Sequence, residues 1–174
     1  MGQLKISKVS MFGFSLGGFL AAEFASDYPE KITKLILLGA RKCYSRQSLE
    51  NIKRQILPHP RTWLYQFYNN CFSKADASGR KWFKKNLLKE YLDKLNLAEL
   101  IRGLDYLAGR GLNLGALKRI KGVSIFHGSD DLIAPVEEIL EIIADLPQTK
   151  LTFLADRGHL FFLNSDFRER FYGE

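Results

Sequence analysis

The chain has no apolar run approaching the roughly 18 residues that a membrane-spanning helix needs, and its first residues do not pass from basic to apolar as a signal peptide does. A cytoplasmic protein is expected. Cysteine is scarce: Cys43 and Cys71 stand alone, in no Cys-x-x-Cys or metal-ligand spacing, so neither a disulfide nor a bound zinc is expected. No motif calls for another metal or an organic cofactor. Histidine is scarce too, with His59, His127 and His159 making up the set. Any imidazole chemistry must use one of these three. There is no internal repeat and no low-complexity tract, which excludes solenoid architectures and long disordered linkers.

What is present is ordinary globular material. At 174 residues, 46% hydrophobic and 26% charged, the chain can bury a substantial core, and one domain with an insertion is the natural reading. The net charge of +7 is unevenly placed. Between Arg41 and Glu90 there are twelve Lys or Arg against three acids, a local +9, so the remainder carries −2. The basicity belongs to one segment, and a clustered excess points to an acidic partner.

Along the chain, Val9 to Phe12 is a short apolar run, and the Ala-rich segment from Phe19 onward has helical spacing. Ile32 to Ala40 is almost continuously apolar, as in a strand covered on both faces. From Arg41 to about Lys121 strand patterns vanish. Helical patterns replace them at Gln47–Leu57, Arg61–Phe72, Arg80–Leu95 and Leu97–Ala108, punctuated by Pro58, Pro60, Gly79 and the Gly109–Gly111 pair. Val123 to Asp131 restores a strand followed by a loop; Pro135–Leu146 reads as an amphipathic helix, "KLTFLA" as a strand, and Leu160–Phe171 as a last helix. The order β-α-β, helical insertion, β-α-β-α predicts an α/β protein with a mainly parallel sheet. The core is expected at 1–40 and 121–174, with the insertion at 41–120.

"GFSLG" matches the Gly-x-Ser-x-Gly pattern of a nucleophile elbow, in which a serine sits on a strained strand-to-helix turn. The flanking glycines are expected to leave room for the exposed hydroxyl. A serine hydroxyl needs a general base, and the base needs a group to hold its tautomer. His59 lies between two prolines, which suits an exposed loop, and His127 ends a strand, which suits backbone bonding. His159 follows the last predicted strand, where active-site loops gather in open sheets. It is the best candidate base. "HGSDDLIAP" places Asp130 and Asp131 after a strand, where an aspartate serves equally as a turn or helix-preceding residue. A serine, then an aspartate of this pair, then His159 follows the Ser…Asp…His order of α/β-hydrolases.

These features together resemble the α/β-hydrolase superfamily, and within it the pimeloyl-acyl-carrier-protein methyl ester esterases of biotin synthesis. The likeness runs over nearly the whole chain. "GFSLGG" with "YPEKITKLILLGARKCYS" resembles the elbow, second strand and lid entry of that family. "GLDYLAGRGLNLGALKRIKGVSIFHGSDDLIAP" is similar to its lid exit and acid loop. The family spacing, three residues after the strand-end glycine and four before a proline, selects Asp131 over Asp130. The resemblance implies Ser15 as nucleophile, His159 as base, Asp131 as its orienting acid and the Leu16 amide as oxyanion donor. It further implies a helical lid whose Phe67 and Tyr68, with Phe14 from the elbow, line an apolar groove for an acyl chain. Generic carboxylesterase or thioesterase activity, and a non-catalytic remnant or subunit, are the alternative readings.

The basic segment is then read as a docking face for an acidic acyl-carrier protein, through Lys81, Lys84, Lys85 and Lys89 at helical spacing. An ordinary solvated face is the plainer reading of the same lysines. No nucleic-acid recognition module is present. Only Met1 to Lys8 precede the elbow strand, whereas superfamily members have several strands there. A truncated product, a misplaced start, and half of a split protein partnered by an N-terminal fragment are all compatible with that, and the source of a second oxyanion amide stays open with them.

Overall fold

The computed structural model describes residues 6–172. Strand β1 (Val9–Phe14) leads through a sharp turn into helix α1 (Leu16–Asp27), and β2 (Ile32–Leu38) follows. Helices α2 (Arg46–Ile56), α3 (Pro60–Asn70), α4 (Ala77–Asn86), α5 (Leu88–Asp93) and α6 (Leu97–Leu107) come next, with the short α7 (Leu114–Leu117). Strand β3 (Val123–Gly128), helix α8 (Val136–Asp145), strand β4 (Lys150–Leu154) and helix α9 (Ser165–Tyr172) complete the order. The strands lie side by side as β1-β2-β3-β4, with β1 parallel to β2 and β2 parallel to β3.

The chain divides into two compact units. The first comprises the described part of Met1–Cys43 together with Gly111–His127 and Ala134–Phe153. Its centre is the β2–β3 pair, in register from Leu35 opposite Val123 to Leu38 opposite Phe126. Leu35, Leu37, Leu38, Ile125 and Phe126 are buried almost completely, which is why these stretches read as continuous apolar runs rather than as alternation. By contrast β1, an edge among the described strands, alternates in exposure, and Phe12 is half exposed. Helix α1 packs on β1 and β2 with its alanine face, Ala21, Ala22 and Ala25 being buried. Near the end of this unit's first segment, Arg41 pairs with Glu138 of α8, and the Lys42 ammonium reaches Glu141 at 3.2 Å and Asp145 at 3.4 Å.

The second unit comprises Tyr44–Arg110, Gly128–Ile133 and the described part of Leu154–Glu174. Helices α2 to α6, helix α9 and the loops after β3 and β4 therefore cluster together. Local sequence explains most boundaries. Ser45 caps α2 by accepting the Ser48 N–H, Pro60 opens α3, and Asn96 caps α6 through the Glu99 N–H.

Two expected helices are each broken. The pattern at Arg80–Leu95 is two helices, because Leu87 leaves helical geometry (φ −124°) where the Asn86 amide bonds back to the Trp82 carbonyl. The expected helix over Leu160–Phe171 becomes a 3-10 turn at Phe161–Leu163 and then α9, because Asn164 is extended with its side chain buried in a polar cluster. Helix α7, unforeseen in the sequence, is nucleated by Asn113 accepting the Ala116 N–H.

Leu37, in the middle of the sheet core, is fully buried. Leu37→Ala is expected to lower unfolding free energy by about 2 to 5 kcal/mol, read from urea denaturation monitored by circular dichroism.

Candidate active site

In the strand unit the turn between β1 and α1 is centred on Ser15, whose φ of 52° is one of two positive values at described non-glycine residues. Its N–H donates to the Leu38 carbonyl at 3.0 Å and its carbonyl accepts the Gly18 N–H at 2.8 Å. The serine is thus clamped between the end of β2 and the first turn of α1, partly open to solvent. Leu16 opens α1, so its N–H belongs to the first turn, where helical amides lack intrahelical acceptors.

The two motif glycines are unequal. A Cβ at Gly13 would lie 2.7 Å from the Gly17 carbonyl oxygen and from the Gly18 Cα, whereas one at Gly17 would meet nothing within 4 Å. Gly13 lets β1 and α1 approach. The expectation that both glycines are sterically required is corrected at Gly17.

The second unit brings Asp131 and His159 together. Asp131 Oδ2 lies 2.6 Å from His159 Nδ1, and both side chains are buried. Asp131 Oδ1 accepts the Ile133 N–H at 2.8 Å, which fixes the carboxylate orientation. Neighbouring Asp130 is exposed and accepts instead from the Ser129 hydroxyl. The loops carrying the pair are joined backbone to backbone: Ser129 N–H to Leu154 carbonyl at 3.0 Å and Asp130 N–H to Arg157 carbonyl at 2.9 Å. Gly128 permits this, since a Cβ there would sit 2.2 Å from the Arg157 carbonyl oxygen. A buried carboxylate on Nδ1 holds a neutral imidazole in the tautomer whose Nε2 can accept a proton, and stabilises the imidazolium afterwards.

Ser15 belongs to the strand unit and Asp131 and His159 to the helical one. His127 is fully buried in β3 with its ring edge-on to Phe153 at 6.2 Å, and His59 is exposed at the start of α3. Phe14 ends β1 opposite Leu38, partly buried.

Phe67 stacks on Trp63 at 5.4 Å, and Tyr68 meets Phe83 at 5.0 Å and Tyr91 at 5.7 Å. Burial, with smaller contributions from Tyr91 and Cys71, pushes the Tyr68 phenol up to about 12. Both aromatics therefore spend much of their surface on packing within the helical unit. Lys81, Lys84 and Lys85 lie exposed on α4, with the Lys84 ammonium 5.8 Å from the Tyr65 ring centre. Lys89 lies beyond the Leu87 break on α5. The single helical stripe expected for the four lysines is corrected to three plus one.

The sequence reading missed Asp76, a fully buried carboxylate bonded to the loop that bears His159. Its visible signal was the Ser-x-x-Asp capping spacing from Ser73. That spacing announces a cap and nothing of the partner 82 residues away. Among the described residues no cluster of His, Cys, Asp or Glu could hold a metal ion, and no helix is long and apolar enough to cross a membrane.

A family model described as alpha/beta hydrolase fold matches residues 1–97. The chain is 26% identical over 185 residues to the pimeloyl-[acyl-carrier protein] methyl ester esterase of Nitrosomonas europaea, covering 94% of this chain and 68% of that protein. It is 24% identical over 170 residues to the protein of the same description from Aromatoleum aromaticum, covering 87% of this chain and 67% of the relative. Among solved structures, an esterase from Exiguobacterium antarcticum superposes with a TM-score of 0.78 at 22% identity, over 98% of this chain and 66% of that one. The chain thus spans about two thirds of the length of each of these proteins.

Cys71 is buried near the Asp131 carboxylate, and burial first, then that negative charge, pushes its thiol far above the usual range. Cys43 is exposed. Iodoacetamide at neutral pH is expected to modify Cys43 alone in the folded chain and both thiols in urea, as read by mass spectrometry.

Proposed function

The chain belongs to the alpha/beta hydrolase fold family, and from that premise we propose that it is a serine carboxylesterase acting on the methyl ester of pimeloyl-acyl-carrier protein in biotin synthesis. Water and the ester give the carrier-bound acid and methanol. The observation that carries this reading is the buried Asp131–His159 pair at 2.6 Å, in a chain whose Ser15 occupies a strained strand-to-helix turn. The carrier-bound methyl ester comes from the relatives' descriptions.

On this reading Ser15 Oγ attacks the ester carbonyl while His159 Nε2 takes its proton. The Leu16 N–H donates to the tetrahedral oxyanion, an interaction worth about 2.7 to 4 kcal/mol per donor in comparable enzymes. His159 returns the proton to the methoxide oxygen as methanol leaves, and a water, deprotonated by the same imidazole, releases the acid from Ser15. Asp131 keeps Nδ1 protonated throughout.

Residues 41–120 act as the lid between the core segments 1–40 and 121–174. Phe67, Tyr68 and Phe14 supply apolar surface for the acyl chain. Lys81, Lys84 and Lys85, with Lys89 beyond the break, form the carrier-docking face, for which long-range charge steering is the physical rationale.

A fluorophosphonate is expected to label the purified chain once, at Ser15, and Ser15→Ala is expected to remove labelling and to cut methyl ester turnover by roughly 10⁴-fold or more. Unchanged turnover in that variant would remove Ser15 from the mechanism. Raising salt from 50 to 300 mM is expected to raise KM for the carrier-bound ester by about tenfold while leaving p-nitrophenyl acetate hydrolysis unaffected. Equal salt response for the two substrates would instead identify a generic esterase with no carrier docking.

A further inference from the structure

The loop that bears His159 is tied on both sides to one short stretch of the helical unit, residues 71–76. On one side, Asp76 Oδ2 accepts the Gly158 N–H at 2.8 Å and the Ser73 N–H at 2.9 Å. On the other, the Leu160 N–H donates to the Cys71 carbonyl at 3.0 Å. The residues immediately before and after His159 are therefore both anchored to the same turn. The fit is close, because a Cβ at Gly158 would lie 2.7 Å from the Ser73 nitrogen and 2.8 Å from the Cys71 oxygen.

The second carboxylate oxygen extends the same hold. Asp76 Oδ1 accepts from Asn164 Nδ2 at 2.7 Å and lies 3.5 Å from the Arg157 guanidinium. Asn164 in turn accepts the Gly79 N–H at 3.2 Å, and Arg157 donates to the Ala75 carbonyl at 2.7 Å. The Ser73 hydroxyl lies within hydrogen-bond distance of both Asp76 Oδ2 and the Asp156 carbonyl. A carboxylate with no solvent exposure is costly to bury unless its lone pairs are satisfied. Capping the turn at Ser73 uses one of them. Most of the rest are spent on residues 157–164, the segment on which the imidazole is mounted.

His159 and Asp131 both sit on loops, where side-chain position depends on supporting bonds more than it does on a helix or strand. A misplacement of about 1 Å can cost about 10²-fold in rate. We propose that Asp76 is a positioning residue for the general base: by holding the Gly158 amide and the Asn164 amide it fixes the backbone that brings the His159 imidazole onto the Asp131 carboxylate. This inference rests on reading His159 as the base. It makes the turn at residues 71–76, rather than the strands alone, a determinant of base geometry.

The test is Asp76→Asn in the 174-residue chain, which keeps the size but turns an NH2 toward donors that need an acceptor. The readouts are thermal unfolding, the low-field proton NMR signal of His159 Nδ1, identified by its loss in His159→Gln, and the rate of fluorophosphonate labelling. The folded variant is expected to show that signal shifted or broadened by exchange with water, and labelling slowed by about ten- to a hundredfold. An unmoved signal in the folded variant overturns the proposal, whatever the loss of stability. So does a shifted signal with undiminished labelling. A wild-type chain that shows the signal and its perturbation by Asp76→Asn, yet is never labelled, counts against the esterase reading and supports this one, since the signal requires no reaction. Should Asp76→Asn fail to fold, hydrogen exchange on the wild-type chain decides: the Gly158 amide must exchange as slowly as that of Phe126 in β3, and loop-like exchange overturns the proposal.

Discussion

A serine held at φ 52° between a strand and a helix is the constraint around which the strand unit is organised. Such a backbone costs on the order of 1 to 3 kcal/mol and persists only where its surroundings over-determine it. Here they do so from three directions. The Leu38 carbonyl at the end of β2 takes the Ser15 N–H, α1 takes its carbonyl, and Gly13 lets the first turn of the helix come within 2.7 Å of where a side chain would stand. The first of these depends in turn on the parallel register that sets Phe14 opposite Leu38. The register is held by the apolar burial of β2 and β3. Core packing and the placement of Ser15 are therefore one problem, because slippage of β1 by a residue would remove the bond that clamps the turn.

The helical unit solves a different problem, that of keeping two carboxylates under cover. Asp131 and Asp76 are both buried, and each is satisfied mainly by backbone amides and neutral donors rather than by a closely paired cation. Asp131 takes the Ile133 N–H on one oxygen and presents the other to His159. Asp76 takes the Ser73 and Gly158 amides on one oxygen and Asn164 on the other. Backbone donors suit this task because they arrive already oriented by the chain, with little side-chain entropy to lose. The loops after β3 and β4 are thereby held by buried hydrogen bonds to fixed partners.

The aromatics and lysines of α3 and α4 show how packing divides a segment that looks uniform in composition. Phe67 and Tyr68 lie within a chain of ring contacts running from Trp63 to Phe83 and Tyr91. The lysines of α4 are all outside it. An apolar face turned inward and a basic face turned outward are what a short amphipathic helix must have.

Much was legible from the chain alone because it rests on local rules. Strand β2 is a continuous apolar run, Ser45 and Asn96 mark the starts of α2 and α6, and the tight turn at Ser15 follows from glycine spacing next to a strand. Ser15 and His159 could be singled out because few residues of the right type stand at strand ends, whereas the choice of Asp131 over its neighbour Asp130 came from the family resemblance. Other features follow no local rule. The break at Leu87 and the extended Asn164 arise from side chains bonding to backbone or to distant groups, which no periodicity reports. The inequality of Gly13 and Gly17 depends on which of them faces the oncoming helix. The 2.6 Å contact of His159 with Asp131, across 28 residues, and the hold of Asp76 on Gly158, across 82, exist only once the chain has folded. Sequence by itself determined most of the strands and helices, because propensity and burial act over a few residues; tertiary structure alone decided which carboxylate meets which amide, because a hydrogen bond is a matter of tenths of an ångström between segments that share no local pattern.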